Sequence, residues 1–366
     1  MKVICDRGAL VESLNLVGGV IVSRTPKPVL SCIKVTANDG ALTLSGTDME
    51  VAVKLTTPRV EVAESGDMLV PSDKLLAIVR ESIDATLTIE ANDEAAKITG
   101  QDSKFTIYGH NIEDYPPIPE YDGDPDFEVS AEELHRLIAM TIFATARENS
   151  RYAINGVLVE REKNKLTVVA TDGHRLALAK GMCTSHNDTP QSAIVPTKAL
   201  NLLLRLFDDA EQTVSVKMKD GQIMFATEEA TLSTNLVEGN FPPYADVIPK
   251  DGDKKVTIAT DVLVSAVRRA ALLTNEESKG VRMAFDQAGL TLSSRAPEMG
   301  EAEIKVEIDE YVGDEVEIGF NPQYLLDALK VADESQVHID MKAPNKPGVL
   351  RTGPQFLYVI MPVNLQ

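Results

Sequence analysis

The chain has 366 residues, room for about two or three domains, and its 43% hydrophobic and 25% charged content suits a soluble protein with sizeable cores. With 56 acidic against 36 basic residues its formal net charge is −20, which argues against nucleic-acid binding over most of the surface. Cys5, Cys32 and Cys183 lie far apart in no metal-ligand spacing, and Asp6, Glu12 and Asn15 interrupt any leader-like apolar run. No stretch is long and apolar enough for a bilayer, so a reduced, cytoplasmic protein free of metal, cofactor and membrane contact is expected.

Along the chain, one pattern recurs three times. A helix-start residue precedes a periodic apolar run at Asp6 (Leu10, Leu14, Val17), at Ser130 (Leu134, Leu137, Ile138) and at Thr260 (Leu263, Val264, Val267). Glu133, three residues after Ser130, completes a capping box. Two alternating strand-like runs follow each: 33–36 and 41–45, 156–160 and 165–170, 281–285 and 290–293. A second helix then begins at Pro71-Ser72, Pro196-Thr197 and Asn321-Pro322, each start 125 residues after the last. Proline suits a first turn whose N–H lacks a helical partner.

Further alternating runs (86–89 and 104–108, 213–218 and 231–236) lead to a proline corner at Tyr115-Pro116-Pro117, at Phe241-Pro242-Pro243 and at Met361-Pro362. Each repeat thus reads as an α+β unit of about 120 residues with antiparallel meanders, the size of a domain. Asp-, Gly- and Pro-rich breaks set the expected domains at 1–122, 123–250 and 251–366. Val17-Gly18-Gly19-Val20 reads as a helix end rather than a nucleotide loop.

Three such units expose sheet edges that must be paired or covered. Joined edge to edge they make a rod, and closed on themselves a ring; the pattern alone admits both. The six helix candidates (6–25, 72–82, 130–151, 197–209, 260–282, 322–334) sum to a charge of −1 against −20 for the chain, so strands and loops hold the other −19. A surface lined by helices would repel a polyanion far less than the rest.

Thr171-Asp172-Gly173-His174-Arg175-Leu176-Ala177 offers two readings. Asp172, His174 and Arg175 could form an acid–base cluster, as in a hydrolase, but no serine or cysteine nucleophile is placed by spacing, and Cys183 and Ser185 carry no elbow motif. The other reading is a strand turn that packs or binds a partner. His110, His135, His186 and His338 show no metal pairing. Arg24, Lys27, Arg147, Arg151, Tyr152 and Lys198, at helix ends and starts, could meet phosphates.

Four segments taken together, Arg151-Tyr152-Ala153-Ile154-Asn155-Gly156, the 171–177 stretch, Phe241-Pro242-Pro243-Tyr244 and Val359-Ile360-Met361-Pro362, resemble the bacterial DNA sliding clamp family, the β subunits of DNA polymerase III. The resemblance runs from Met1 to Gln366. It implies three clamp domains with helices inside and antiparallel sheets outside, closed into a ring by a head-to-tail homodimer around duplex DNA. It further implies a non-catalytic processivity factor. By that resemblance a peptide-binding pocket takes short motifs of the polymerase III α subunit, the clamp-loader δ subunit, other DNA polymerases, and mismatch-repair or ligase proteins.

The matching pocket positions are Ile154, Thr171, Gly173, His174, Arg175, Leu176, Pro242, Val247, Val359, Met361 and Pro362. DNA contacts match Arg24, Arg147, Arg151, Tyr152 and Lys198; the ring-closing contact matches Lys74, Ile78, Phe105 and Ile107 on one side and Leu272, Leu273, Glu298, Glu301 and Glu303 on the other. Asp246 stands where well-known members carry an arginine at the pocket rim, Ala153 replaces an aromatic, and the tail to Gln366 is one residue longer and less basic than in some relatives.

Overall fold

The computed structural model describes residues 1–92, 94–146, 154–274, 280–297 and 299–364. Its helices are α1 Arg7–Gly18, α2 Ser72–Glu81, α3 Ala131–Ala139, α4 Thr197–Leu206, the single turn α5 Tyr244–Val247, α6 Thr260–Ala271 and α7 Pro322–Lys330. The starts follow the sequence signals. Asp6 accepts the Ala9 N–H at 2.7 Å, and Asn321 accepts the Gln323 N–H at 2.9 Å ahead of Pro322.

Several helices stop before the ranges set by periodicity. After α3 the Thr141 hydroxyl donates back to the Leu137 carbonyl at 2.9 Å, a local bond that competes with helix propagation, and a 3₁₀ turn follows at Ile142–Ala144. After α6 the Thr274 hydroxyl caps the Ala271 carbonyl at 2.8 Å.

The chain divides into two compact units. The first comprises Met1–Glu132, Thr184–Asn187 and Lys198–Leu236; the second comprises Glu133–Cys183, Asp188–Thr197 and Val237–Gln366. The central repeat therefore contributes a sheet to each unit, and the strand registers explain why.

In the first unit, one sheet runs Val60–Glu64, Lys2–Asp6, Thr86–Ala91, Ala95–Thr99, Lys104–Tyr108. The other has nine strands, in which Val51–Thr57 of the first repeat pairs antiparallel with Ala230–Asn235 of the second, Leu55 opposite Ala230 and Val51 opposite Thr234. Leu14, Val17, Leu75 and Val79 are fully buried where α1 packs on α2, each contributing roughly 1.5–3 kcal/mol of apolar burial. Gly19, at the end of α1, has no room for a side chain: a Cβ there would stand 2.7 Å from the Cδ2 of Leu202 in α4.

In the second unit the join repeats. Arg175–Met182 pairs with Phe356–Ile360, Arg175 opposite Ile360 and Ala179 opposite Phe356, inside a nine-stranded sheet. A four-stranded sheet, Gly300–Val306, Gly289–Ala296, Val281–Asp286, Val316–Phe320, completes it. In all three repeats the strand after the first helix pairs with the strand leading into the second. Cys32 faces Pro71, Gly156 faces Pro196, and Val281 faces Phe320.

Candidate functional site: an apolar groove on a joined sheet

The stretch 171–175 is a tight turn held by its own side chains. Asp172 Oδ1 accepts the His174 and Arg175 N–H groups at 2.9 and 3.0 Å, and Oδ2 accepts Arg175 Nε–H at 3.0 Å. The Thr171 hydroxyl donates to the Arg175 carbonyl at 2.7 Å and accepts the Gly173 N–H at 3.1 Å. Gly173 turns the chain at φ +88°, where a side chain would be strained.

Both Asp172 oxygens are thus engaged by donors, and no nucleophile adjoins them in these contacts. The acid–base reading gives way to a structural one: Asp172 builds the turn. Burial also raises the pKa of the half-buried Cys183 thiol, although Arg161 works the other way.

Arg175, matched by resemblance to a pocket position, is largely an internal post. Its side chain is 10% exposed and donates to Asp327 Oδ2 at 2.5 Å and to the Phe143 carbonyl at 2.7 Å. Its guanidinium lies 4.3 Å from the Tyr324 ring centroid and 5.5 Å from that of Phe143. What Arg175 offers the surface is position: the His174 carbonyl accepts the Met361 N–H at 2.9 Å, tying the turn to the end of the joined sheet.

Beside this turn lies an apolar cluster of Leu158, Val169, Leu176, Leu178, Ile194 and Val359. Val237, Phe241, Tyr244, Ile248 and Leu357 pack against it, partly exposed. Tyr244 closes one side, its hydroxyl donating to Glu160 Oε2 at 2.6 Å and its ring edge-on to Phe241 at 6.5 Å. Burial, reinforced by Glu160, raises the Tyr244 pKa, so the phenol stays neutral.

Of the expected pocket residues, Leu176 and Val359 lie in the cluster and Ile154 is buried. Pro242 is half-buried and Val247 exposed on the segment that borders the cluster. Thr171 is buried within the turn, Gly173 and His174 are exposed on it, and Met361 and Pro362 follow the last strand, exposed and half-buried. The sequence reading missed Leu158, Leu178, Ile194, Phe241 and Tyr244. Their signal was present: residues 157–159 are apolar in succession, so that strand is covered on both faces.

The first unit carries the same ladder with different chemistry. Leu158 faces Val169 and Ile194, and Val169 faces Leu178; at the equivalent register Lys34 faces Ser45 and Leu69, and Ser45 faces Lys54. A cavity of about 600 Å³ beside Tyr115 and Pro116 is lined by these lysines, and Lys54 pairs with Glu120 at 3.5 Å. One repeat has an apolar cluster at this register. The other has a charged one.

Among the expected DNA contacts, Arg24 is exposed after α1. Lys198 is bound to Asp48, which also accepts the Glu50 and Val51 N–H groups at 2.9 and 2.7 Å. Burial opposes ionisation of Asp48, but Lys198 and these amides outweigh it and lower its pKa. Arg147, Arg151 and Tyr152 lie outside the described residues. Arginines not singled out beforehand gather in the first unit: Arg80 donates to Asn15 Oδ1 at 2.9 Å, Arg205 to the Asn15 carbonyl at 3.3 Å and Arg7 to the Arg80 carbonyl at 3.3 Å. Arg80 and Arg205 stand in the last turns of α2 and α4, as Arg268 and Arg269 do in α6, where the helix dipole favours cations.

Of the expected interface residues, Lys74, Phe105, Leu272, Glu301 and Glu303 are exposed, Ile78 and Leu273 half-buried, and Glu298 lies outside the described residues. Ile107 needs correction as a contact residue. It is 7% exposed and faces the core of its own unit, whereas its neighbour Tyr108 is 80% exposed. Both strands concerned, Lys104–Tyr108 and Gly300–Val306, are edge strands of their sheets.

A threefold α+β repeat with sheets joined across repeats, and an apolar cluster beside the 171–175 turn, fits a DNA-clamp type of protein. Three family models match in order: DNA polymerase III beta subunit, N-terminal domain over 1–119, central domain over 128–243 and C-terminal domain over 245–364. The beta sliding clamp of Pseudomonas putida is 36% identical over 363 residues, covering 98% of this chain and 99% of the relative. That of Bacillus subtilis is 28% identical over 362 residues, 96% of each. The crystal structure of the sliding clamp from Pseudomonas aeruginosa bound to griselimycin superposes with a TM-score of 0.94 at 34% identity, and that from Bacillus subtilis with 0.95 at 27%, each over 100% of both chains. The chain belongs to the DNA polymerase III beta subunit family, the beta sliding clamps. It is a DNA polymerase processivity factor, an accessory subunit without catalysis of its own.

Proposed function

We propose that this chain works as a head-to-tail homodimeric ring that encircles duplex DNA without regard to sequence, its three clamp domains spanning 1–122, 123–250 and 251–366. The observation that carries this reading is the pair of open sheet edges with opposite charge. Lys104–Tyr108, with Lys74 on the α2 helix that packs against it, bears exposed Phe105 and Tyr108; Gly300–Val306 bears Glu301 and Glu303, with exposed Leu272 at the end of α6. An edge that is long, apolar and unpaired invites a partner strand, and apolar centres flanked by complementary charge suit an interface that a loader can open.

In this reading the helices face the DNA, and Arg24, Arg80, Arg205 and Arg268 join Arg147, Arg151, Tyr152 and Lys198 as weak phosphate contacts. Such contacts fix no sequence, and enclosure supplies the retention. The apolar groove of Leu158, Leu176, Leu178 and Val359 takes extended peptide motifs of polymerase III, the clamp loader, other DNA polymerases, and mismatch-repair or ligase proteins in the cytoplasm, aliphatic and aromatic anchors filling it. Met361 at its end adapts to different partners.

The test is topological. The protein is loaded by a matching clamp loader with ATP onto nicked circular plasmid and onto the same plasmid linearised, then gel-filtered in moderately high salt. Retention on circles with loss from linear DNA is expected. Equal retention on both would show simple electrostatic binding and end the ring reading.

A further inference from the structure

A second feature of the C-terminal repeat has no part in the groove or in the sheet edges. Strand Lys254–Ala259 pairs with Gln336–Met341, and that strand with Gly348–Thr352, placing Lys255 opposite Asp340 and Asp340 opposite Val349. Side chains two residues apart share a sheet face, so Lys342 and Arg351 stand on the same side as Lys255. The opposite face carries buried Val256, Ile258, Ile339, Met341 and Leu350. Lys250 approaches from the segment before the strand. Gly252 passes so close that a Cβ would lie 3.1 Å from the Asp340 Cβ. The result is a cavity of about 90 Å³ lined by Lys250, Lys255, Lys342 and Arg351 with the single carboxylate Asp340.

The charges do not balance. Lys342 donates to Asp253 at 2.8 Å, and Lys254 holds the other oxygen of that carboxylate at 2.9 Å. Together they hold the Asp253 carboxyl down to about 2. Arg351 is matched by Asp340. Lys250 and Lys255 form no ion pair among the described residues, and Lys342 shares its Asp253 with Lys254, which leaves at least two lysines unanswered at one small cavity in a chain of net charge −20. Like charges gathered on neighbouring strands are unfavourable unless something answers them.

We infer that this cavity is a site for a phosphate-sized oxyanion, either free inorganic phosphate or a phosphoryl group carried on a partner's side chain. At about 90 Å³ it has room for one tetrahedral group. Lys250 and Lys255 supply the two unmatched charges. Arg351, with a planar fork of donors, shares them between Asp340 and the anion.

The experiment titrates the full-length protein with inorganic phosphate by calorimetry, at an ionic strength held constant with chloride. Saturable binding of one phosphate per chain is expected. It should weaken by at least about tenfold, the scale of one lost charge-assisted bond, in the Lys250→Gln/Lys255→Gln double variant. It should persist in Lys255→Arg, and in Lys97→Gln, a lysine of the other unit. Circular dichroism melting confirms that each variant is folded. A phosphoserine peptide that binds more tightly than free phosphate assigns the site to a phosphorylated partner; one that binds equally or more weakly assigns it to the free ion. Failure to saturate in the wild type, or an unchanged constant in the folded double variant, overturns the inference.

Discussion

Asp172 and Arg175 are bonded twice over: one carboxylate oxygen holds the Arg175 backbone N–H and the other its Nε–H, both at 3.0 Å. The same guanidinium reaches Asp327, 152 residues further along the chain, so a local turn is locked to α7. Asp172→Ala should therefore lower stability by about 1–3 kcal/mol, the cost of leaving largely buried donors short of a partner. The exposed His174→Ala should stay within about 0.5 kcal/mol of wild type. Thermal melts of both variants check this, and a large loss confined to His174→Ala would contradict the structural assignment of the turn.

Lys198 is expected to contact DNA, yet Asp48 already neutralises it. Asp48→Asn should free it, strengthening binding to nicked circles at low salt and steepening the salt dependence by about one unit of the log–log slope per added phosphate contact. The same variant tests a pH effect. The folded-state pKa of Asp48 is lowered from the ordinary 3.8, so its contribution is fully present above that value and disappears as pH falls through the folded pKa. Stability measured from pH 5 downward should fall less steeply in Asp48→Asn than in wild type below about pH 4.

The two grooves predict their own interconversion. Placing lysine at both Leu158 and Leu178 reproduces the pattern of Lys34 and Lys54, and should weaken partner-peptide binding by at least about tenfold while the dimer persists. Fluorescence anisotropy with a labelled peptide from a partner polymerase, alongside light scattering, measures the two properties separately. Unchanged peptide affinity would move the docking site elsewhere.

Edge pairing is tested by Phe105→Ala and Leu272→Ala. Truncating a side chain buried between chains should weaken association by roughly 1–3 kcal/mol, read as a shift of the dilution-dependent dimer–monomer transition in analytical ultracentrifugation. Ile107→Ala, by contrast, should lower the melting temperature, because Ile107 sits in the core of its own unit.

Cysteine chemistry gives a simpler check. Burial pushes the Cys5 thiol up to about 12 and the Cys32 thiol up to about 11, with both side chains inside the core. At pH 8 a thiol-specific reagent should modify half-buried Cys183 first, and Cys5 and Cys32 only on unfolding.

The repeat was legible because its marks are local: a cap residue, an apolar period of helix, then alternation, with the second-helix starts recurring every 125 residues. What escaped were the strands just before the first helices, Lys2–Asp6, Phe127–Ser130 and Lys254–Ala259. Each is too short to alternate convincingly and runs directly into a helix start. The 171–175 turn was legible as a turn, but not the fate of Arg175, since Asp327 and Tyr324 lie about 150 residues away and no spacing announces them. Likewise nothing near Lys198 in sequence points to Asp48. The pocket residues carried over by resemblance marked one end of the groove; Phe241, Tyr244 and Ile194 join it only through sheet register and the proline corner.

Lysines at 34 and 54 also bear on traffic. Where the central repeat has its apolar cluster, the first repeat offers ammonium groups, one already answered by Glu120. On the proposed reading each chain holds one motif at a time, and enzymes that dock on the same protomer succeed one another by competition. Which of them is present is set by concentration and residence time, so exchange speeds up when dissociation does and needs no signal passed through the protein.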